Sequence, residues 1–237
     1  ELPRDNRSKA VFAREVGAIC AASGMYFRRD GVAVTVGRED GRIEPVDPVV
    51  LITEVEDLCV PYKVKMKEEG DEIVKTKVTC SMSKDTATAV VRSPNFRFAQ
   101  PRLEKVNQVS MPLLRKDGCI ELLKPGYDAE SGILTRPNDV VIKLMSKDES
   151  FHTLLDLHRE FDFAGWNKER TQARDLAAQI GAMVSFYGSL LLDPEDARLG
   201  AFYNANSHRS GKTLLFKIVA IPVEGRAAIR GLPKNDE

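Results

Sequence analysis

Between Ser8 and Ala22, Phe12, Val16, Ile19 and Cys20 fall on one face at helical spacing, and Gly24 closes the segment. The pattern then changes. "MYFRRDGVAVTVGREDGRIEPV" reads as two or three short strands joined at the turn dipeptides Asp30-Gly31 and Asp40-Gly41. Asp47-Pro48 supplies a cap and a first-turn proline for a helix through "VVLITEVEDLCV", which Pro61 stops. "YKVKMKEEGDEIVKTKVTCSM" predicts a charged hairpin turning at Glu69-Gly70-Asp71, and "KDTATAVVRS" a short helix. From Phe96 to Val141, Pro, Gly and β-branched residues predict irregular strands, with two turns inside "MPLLRKDGCIELLKPGYDAESGILTRP".

The character changes again near Ser146. Ser146 to Glu149 is a capping box, and Phe151, Leu154, Leu155 and Phe161 repeat at helical spacing. A second helix is expected from about Asn167 to Leu192, with Leu176, Ile180, Met183, Val184, Tyr187 and Leu191 forming its apolar face. Asp193-Pro194 breaks it. "GAFYNA" then reads as a buried strand and "KTLLFKIVAI" as a helix. The expected boundary lies near Lys143. Residues 1–143 are expected to form an α+β module. Residues 144–237 hold helices and the first strand–P-loop–helix unit of an α/β P-loop NTPase domain.

Between that strand and helix lies "NSHRSGKT", Asn206 to Thr213. Phosphate binding needs inward backbone N–H groups, a helix N-terminus, a lysine and a hydroxyl for Mg²⁺. Ser207, His208, Arg209, Ser210 and Gly211 would supply the cradle, Lys212 the charge on the β- and γ-phosphates, and Thr213 the metal contact. Asn206 replaces the usual small first residue, and Asn tolerates left-handed backbone. The alternative is an ordinary basic strand-to-helix turn. "LLLDPED", Leu190 to Asp196, imitates a metal-binding carboxylate strand but reads as a helix end followed by a loop.

Composition narrows the partners. Of the 237 residues, 43% are hydrophobic and 30% charged, enough apolar content for a core. Thirty-five basic and 35 acidic residues cancel, so polyanion binding requires a local patch. Arg97, Arg102, Lys105, Arg115 and Lys116, with Arg92, make one basic stretch, interleaved with Phe96 and Phe98 in the manner of single-strand binders. Scattered surface charge beside core phenylalanines is the other reading. Arg226, Arg230 and Lys234 offer a DNA-facing or inter-subunit surface, or a simple loop.

Cys20, Cys59, Cys80 and Cys119 are far apart in sequence, which fits isolated thiols in a reducing, cytoplasmic setting. No run of about 18 apolar residues suggests a membrane span. Glu54, Glu56 and Asp57 are weighed as a primase-type carboxylate set against an exposed acidic helix face. Asp128 and Glu130 read as turn residues, and His152 and His158 as helix residues on different faces. The missing initial Met and the ending "GLPKNDE" fit a piece of a longer protein.

"NANSHRSGKTLLFKIVAIPVEGRAAIRGLPKN" resembles a group of phage and mobile-element P-loop ATPases described as helicase-like or primase-helicase-associated. "LPRDNRSKAVFAREVG", "MYFRRDGVAVTV", "VPYKVK", "LLRKDGCIELLKPGYDAESGIL" and "AAQIGAMVSFYGSLLL" resemble segments of the same group in the same order. The resemblance implies an N-terminal module before an AAA+ or superfamily 3-like motor. It implies ATP and Mg²⁺ as cofactors, DNA as partner, and a homo-oligomer with a hexameric ring as the expected arrangement. The group's phosphate-binding residues carry over to Gly211, Lys212 and Thr213, with Asn206 to Ser210 as the loop. Its catalytic carboxylates, sensor and arginine finger have no counterpart up to Glu237, so hydrolysis is expected to need further residues. A non-enzymatic nucleic-acid- or protein-binding assembly module is the competing expectation.

Overall fold

The structure is a computed structural model that describes residues 8–37, 39–69, 72–139, 141–161, 163, 174–192, 203 and 211–224, with backbone alone for 67–69, 72–74 and 224. Among these, seven helices and several small sheets make a mixed α+β fold. The chain divides into two compact units, residues 1–106 with 127–134 and residues 107–126 with 135–237. Position 143/144, expected as the boundary, lies within the second.

In the first unit, α1 (Lys9–Ala22) buries Phe12, Ala13, Val16, Gly17 and Cys20. β1 (Tyr26–Arg29) and β2 (Val32–Val36) pair antiparallel. Both residues of the turn between them have positive φ, Asp30 at 50° and Gly31 at 76°, which matches the right-handed twist of a tight hairpin. β3 (Ile43–Pro45) adds antiparallel to β2. Asp47 caps α2 (Pro48–Leu58) as its sequence predicts, its Oδ1 accepting from Val49 N at 2.6 Å and Val50 N at 3.3 Å. β4 (Tyr62–Glu69) and β5 (Glu72–Thr79) form the charged hairpin; its turn residues Gly70 and Asp71 lie outside the described residues.

Ser83 then caps α3 (Lys84–Arg92). A helix, α4 (Pro94–Ala99), replaces the strand expected from Phe96 onward. The cause is local. Pro94 repeats the first-turn proline of α2, without a side-chain cap from Ser93, a signal masked by the Pro-rich composition downstream. After β6 (Lys105–Asn107) come β7 (Pro112–Leu114) and β8 (Ile120–Leu122), an antiparallel hairpin of the second unit. β9 (Gly126–Asp128) and β10 (Ile133–Thr135) complete a sheet ordered β6–β10–β9.

The core of the first unit rests on the crossing of α1 and α4. A Cβ at Gly17 would lie 2.8 Å from Ala99 Cβ and 3.2 Å from the Phe96 backbone. Buried Gln100 ties the crossing, its Nε2 donating to Gly17 O at 3.0 Å and Phe96 O at 3.1 Å. Phe96 meets Tyr26 edge-on at 6.5 Å, and the Tyr26 hydroxyl donates to Glu54 on α2. Burial, then that bond, pushes the Tyr26 hydroxyl well above its ordinary range.

The second unit holds α5 (Lys147–Leu157), α6 (Arg174–Tyr187) and α7 (Lys212–Glu224). The predicted capping box is present at Ser146 and Glu149, and bonds donated by the Ser146 backbone N–H and then its hydroxyl lower the Glu149 carboxyl below its ordinary value. The helix stops at Leu157, so Phe161 belongs to the following turn. Val109, Met111 and Val223 make a small core with Tyr187 and Leu190.

Three outcomes are expected. Gly17→Ala gains helix propensity yet should lower stability by about 1–3 kcal/mol in urea unfolding, because α1 and α4 must separate. Cys20 is fully buried, and burial, with Glu54 and Cys59 nearby, pushes its thiol from 9.0 up to about 12. The folded state therefore holds this proton more tightly than the unfolded one. Its contribution is complete below pH 9 and is lost as pH rises through 12, which alkaline unfolding will register. In native thiol labelling, exposed Cys119 should react readily and Cys20 only upon unfolding.

Candidate functional site

Gly211 directly precedes α7 and has φ of +80°, a backbone state that side chains disfavour. Its carbonyl accepts from Leu215 N at 2.9 Å, so it supplies the first helical acceptor. Lys212 and Thr213 therefore open the helix, Lys212 half-buried and Thr213 exposed. The first N–H groups of a helix lack intrahelical acceptors and carry the positive end of its dipole. With a lysine beside them, this arrangement can hold an anion.

The floor behind Gly211 is aromatic. A Cβ there would meet Phe161 Cε1 at 3.1 Å and Cδ1 at 3.4 Å, so glycine is the residue that fits. Phe161, Phe163 and His158 form a triangle of rings with centroids 6.2 Å apart. His158 is fully buried; its Nδ1 meets Leu154 O at 2.7 Å, and its Nε2 has no hydrogen-bond partner among the described residues.

A second contact spans the loop. Gln179 of α6, 4% exposed, accepts at Oε1 from the Tyr203 hydroxyl at 2.9 Å and donates from Nε2 to Leu215 O at 3.2 Å. Tyr203 stands before the candidate loop and Leu215 after it, so one amide fixes both ends. Burial raises the Tyr203 hydroxyl, keeping it a donor. Nothing in the sequence marked Gln179 except that a polar residue interrupts an apolar helix face.

Asn206, Ser207, His208, Arg209 and Ser210 lie outside the described residues, as do Arg226, Arg230 and Lys234. So does the strand expected over 200–205, apart from Tyr203, and so does the 167–173 start expected for the long helix. Among the described residues, no group of three or more His, Cys, Asp or Glu side chains is arranged to hold a metal ion, and no helix is long and apolar enough to cross a membrane.

The predicted basic stretch is dispersed in role. Arg97 Nη1 donates to Gly31 O at 2.9 Å, pinning α4 to the β1–β2 turn. Arg102 pairs with Glu104, and Lys105 sits half-buried on β6. Arg115 pairs with Glu121 at 2.8 Å across the β7–β8 hairpin, and Lys116 is exposed in its turn. Phe96 belongs to the core, whereas Phe98 is 71% exposed with the Arg28 guanidinium 4.9 Å above its ring. Glu54 is engaged by Tyr26, and Glu56 and Asp57 are exposed. Asp128 accepts from Ser131 N at 2.9 Å, the expected turn chemistry.

Comparison with family models, with curated proteins and with solved structures yields no match.

The Gln179 clamp gives a graded outcome. Tyr203→Phe should cost about 1 kcal/mol in urea unfolding. Gln179→Leu, which removes both bonds and leaves the Tyr203 hydroxyl without its acceptor, should cost about 2 kcal/mol.

Proposed function

We propose that the chain carries the nucleotide-binding start of a DNA-acting, helicase-like P-loop ATPase of a phage or mobile element. The observation behind this reading is Gly211 at φ +80°, set against Phe161 and followed at once by a helix that begins Lys212-Thr213. In this reading ATP-Mg²⁺ lies at the N-terminus of α7. The amides of residues 206–211 face the phosphates, Lys212 neutralises the β- and γ-phosphates, and the Thr213 hydroxyl reaches the metal ion. Gln179 keeps the loop ends at a fixed separation. The reading assigns nucleotide binding, not turnover, to these residues; a homo-oligomeric ring around DNA is its expected working form.

A second reading, a nucleic-acid-binding module without nucleotide chemistry, draws on the exposed Phe98 ring beneath Arg28, a stacking surface with a cation beside it.

Titration of the chain with Mg-ATP separates the two. Lys212→Ala should weaken nucleotide binding about tenfold or more, since a charge-assisted contact is lost. Equal affinity in wild type and variant, or no affinity in either, overturns the nucleotide site and leaves the second reading.

A further inference from the structure

The β4–β5 ribbon is the largest feature of the first unit to which the nucleotide site gives no role. Eight residue pairs, from Tyr62↔Thr79 to Glu69↔Glu72, make a sheet of two strands alone. At about 3.4 Å per residue the ribbon is roughly 24 Å long. Among the described residues both edges are free, and Met66 is 63% exposed at mid-length. A lone hairpin has little stability of its own. Its foot supplies the anchor: Cys80 N donates to Pro61 O at 3.1 Å, and Cys59 and Cys80 pack on the core.

The register distributes the lysines. Directly opposed residues share a face. Lys63 and Lys65, opposite Val78 and Thr76, stand on one face; Lys75 and Lys77, opposite Met66 and Val64, stand on the other. All four are exposed, none faces an acid across the ribbon, and no ion pair involves them among the described residues. Lys77 Nζ lies 4.7 Å from the Tyr62 ring centroid, an attraction that still leaves its charge at the surface. In a chain of zero net charge this is a concentrated positive site.

Placement on both faces selects the ligand. A flat anionic surface would reach one pair of lysines. A duplex groove presents a phosphate backbone to each face of a ribbon standing in it, and the DNA major groove, about 12 Å wide, admits two strands. Glu68, Glu69 and Glu72, at the far end of the paired register, are repelled by phosphate, which confines contact to the shaft.

We propose that the β4–β5 ribbon is a duplex-DNA-binding arm, with Lys63 and Lys65 on one wall of a groove and Lys75 and Lys77 on the other. The inference rests on the DNA-acting part of the proposed function and is independent of the nucleotide site. Lysine meets phosphate as a point charge, so this binding is indifferent to base sequence.

The test is titration of the full chain, without nucleotide, against a labelled duplex of about 20 base pairs from about 50 to 200 mM salt. Changing all four lysines to Gln keeps both faces polar and should reduce the wild-type loss of affinity over that range by about 100-fold, as removal of four phosphate contacts requires. Lys63→Gln/Lys65→Gln and Lys75→Gln/Lys77→Gln should each remove about half of that slope. Glu68→Gln/Glu69→Gln/Glu72→Gln should tighten binding. An unchanged salt slope in the quadruple variant overturns the proposal, as does an effect confined to one face or binding to single strands alone. Loss of self-association with DNA affinity intact also overturns it, in favour of a protein contact. Lys212→Ala should leave duplex binding at the wild-type level, so failure at the ribbon and failure at the nucleotide site remain distinguishable.

Discussion

At Gly17 the backbones of α1 and α4 approach so closely that a single methyl group would lie 2.8 Å from Ala99 Cβ. The rest of the first unit follows from that approach. It brings Phe96 into full burial against Tyr26, and Tyr26 in turn directs its hydroxyl to Glu54 on α2. Cys59 and Cys80, at the base of the β4–β5 ribbon, pack on the same core. A two-stranded ribbon with both faces open has little to stabilise it except its foundation, so the position of its lysines is inherited from this crossing. With Phe96 inside, the short α4 leaves Phe98 outside, where Arg28 covers it.

The second unit solves a different problem with polar atoms. It joins segments on either side of residues 204–210. The link is the side-chain amide of Gln179, which makes one bond to Tyr203 and one to Leu215. Behind the loop, Phe161 occupies the space that any side chain at position 211 would need. Gly211 is thus required twice, by its φ of +80° and by the ring against it.

Much of the fold was legible as local chemistry. Asp47-Pro48, Ser83 and the Ser146–Glu149 box begin helices because a side chain two or three residues away satisfies an otherwise orphaned N–H. Asp30-Gly31 turns a hairpin because both residues tolerate positive φ. The start of α4 was less legible: Ser93 makes no side-chain cap, only Pro94 marks the first turn, and a six-residue helix is too short to show periodicity. For the candidate site, the turn at Gly211 and the helix opened by Lys212 and Thr213 were legible, because a glycine before an apolar run is a local signal.

Sequence alone determined the elements, their caps and turns, and the alternation that sets lysines at every second position of two strands. Each of these depends on neighbours within a few residues. Tertiary structure decided what those elements do. It buried Phe96 and exposed Phe98, paired Arg102 and Arg115 with acids, and left the ribbon lysines without acidic partners in the described residues. It also made Gln179 the link between segments on either side of a loop. Such outcomes depend on distances between residues remote in the chain, and those are set by packing rather than by any local pattern.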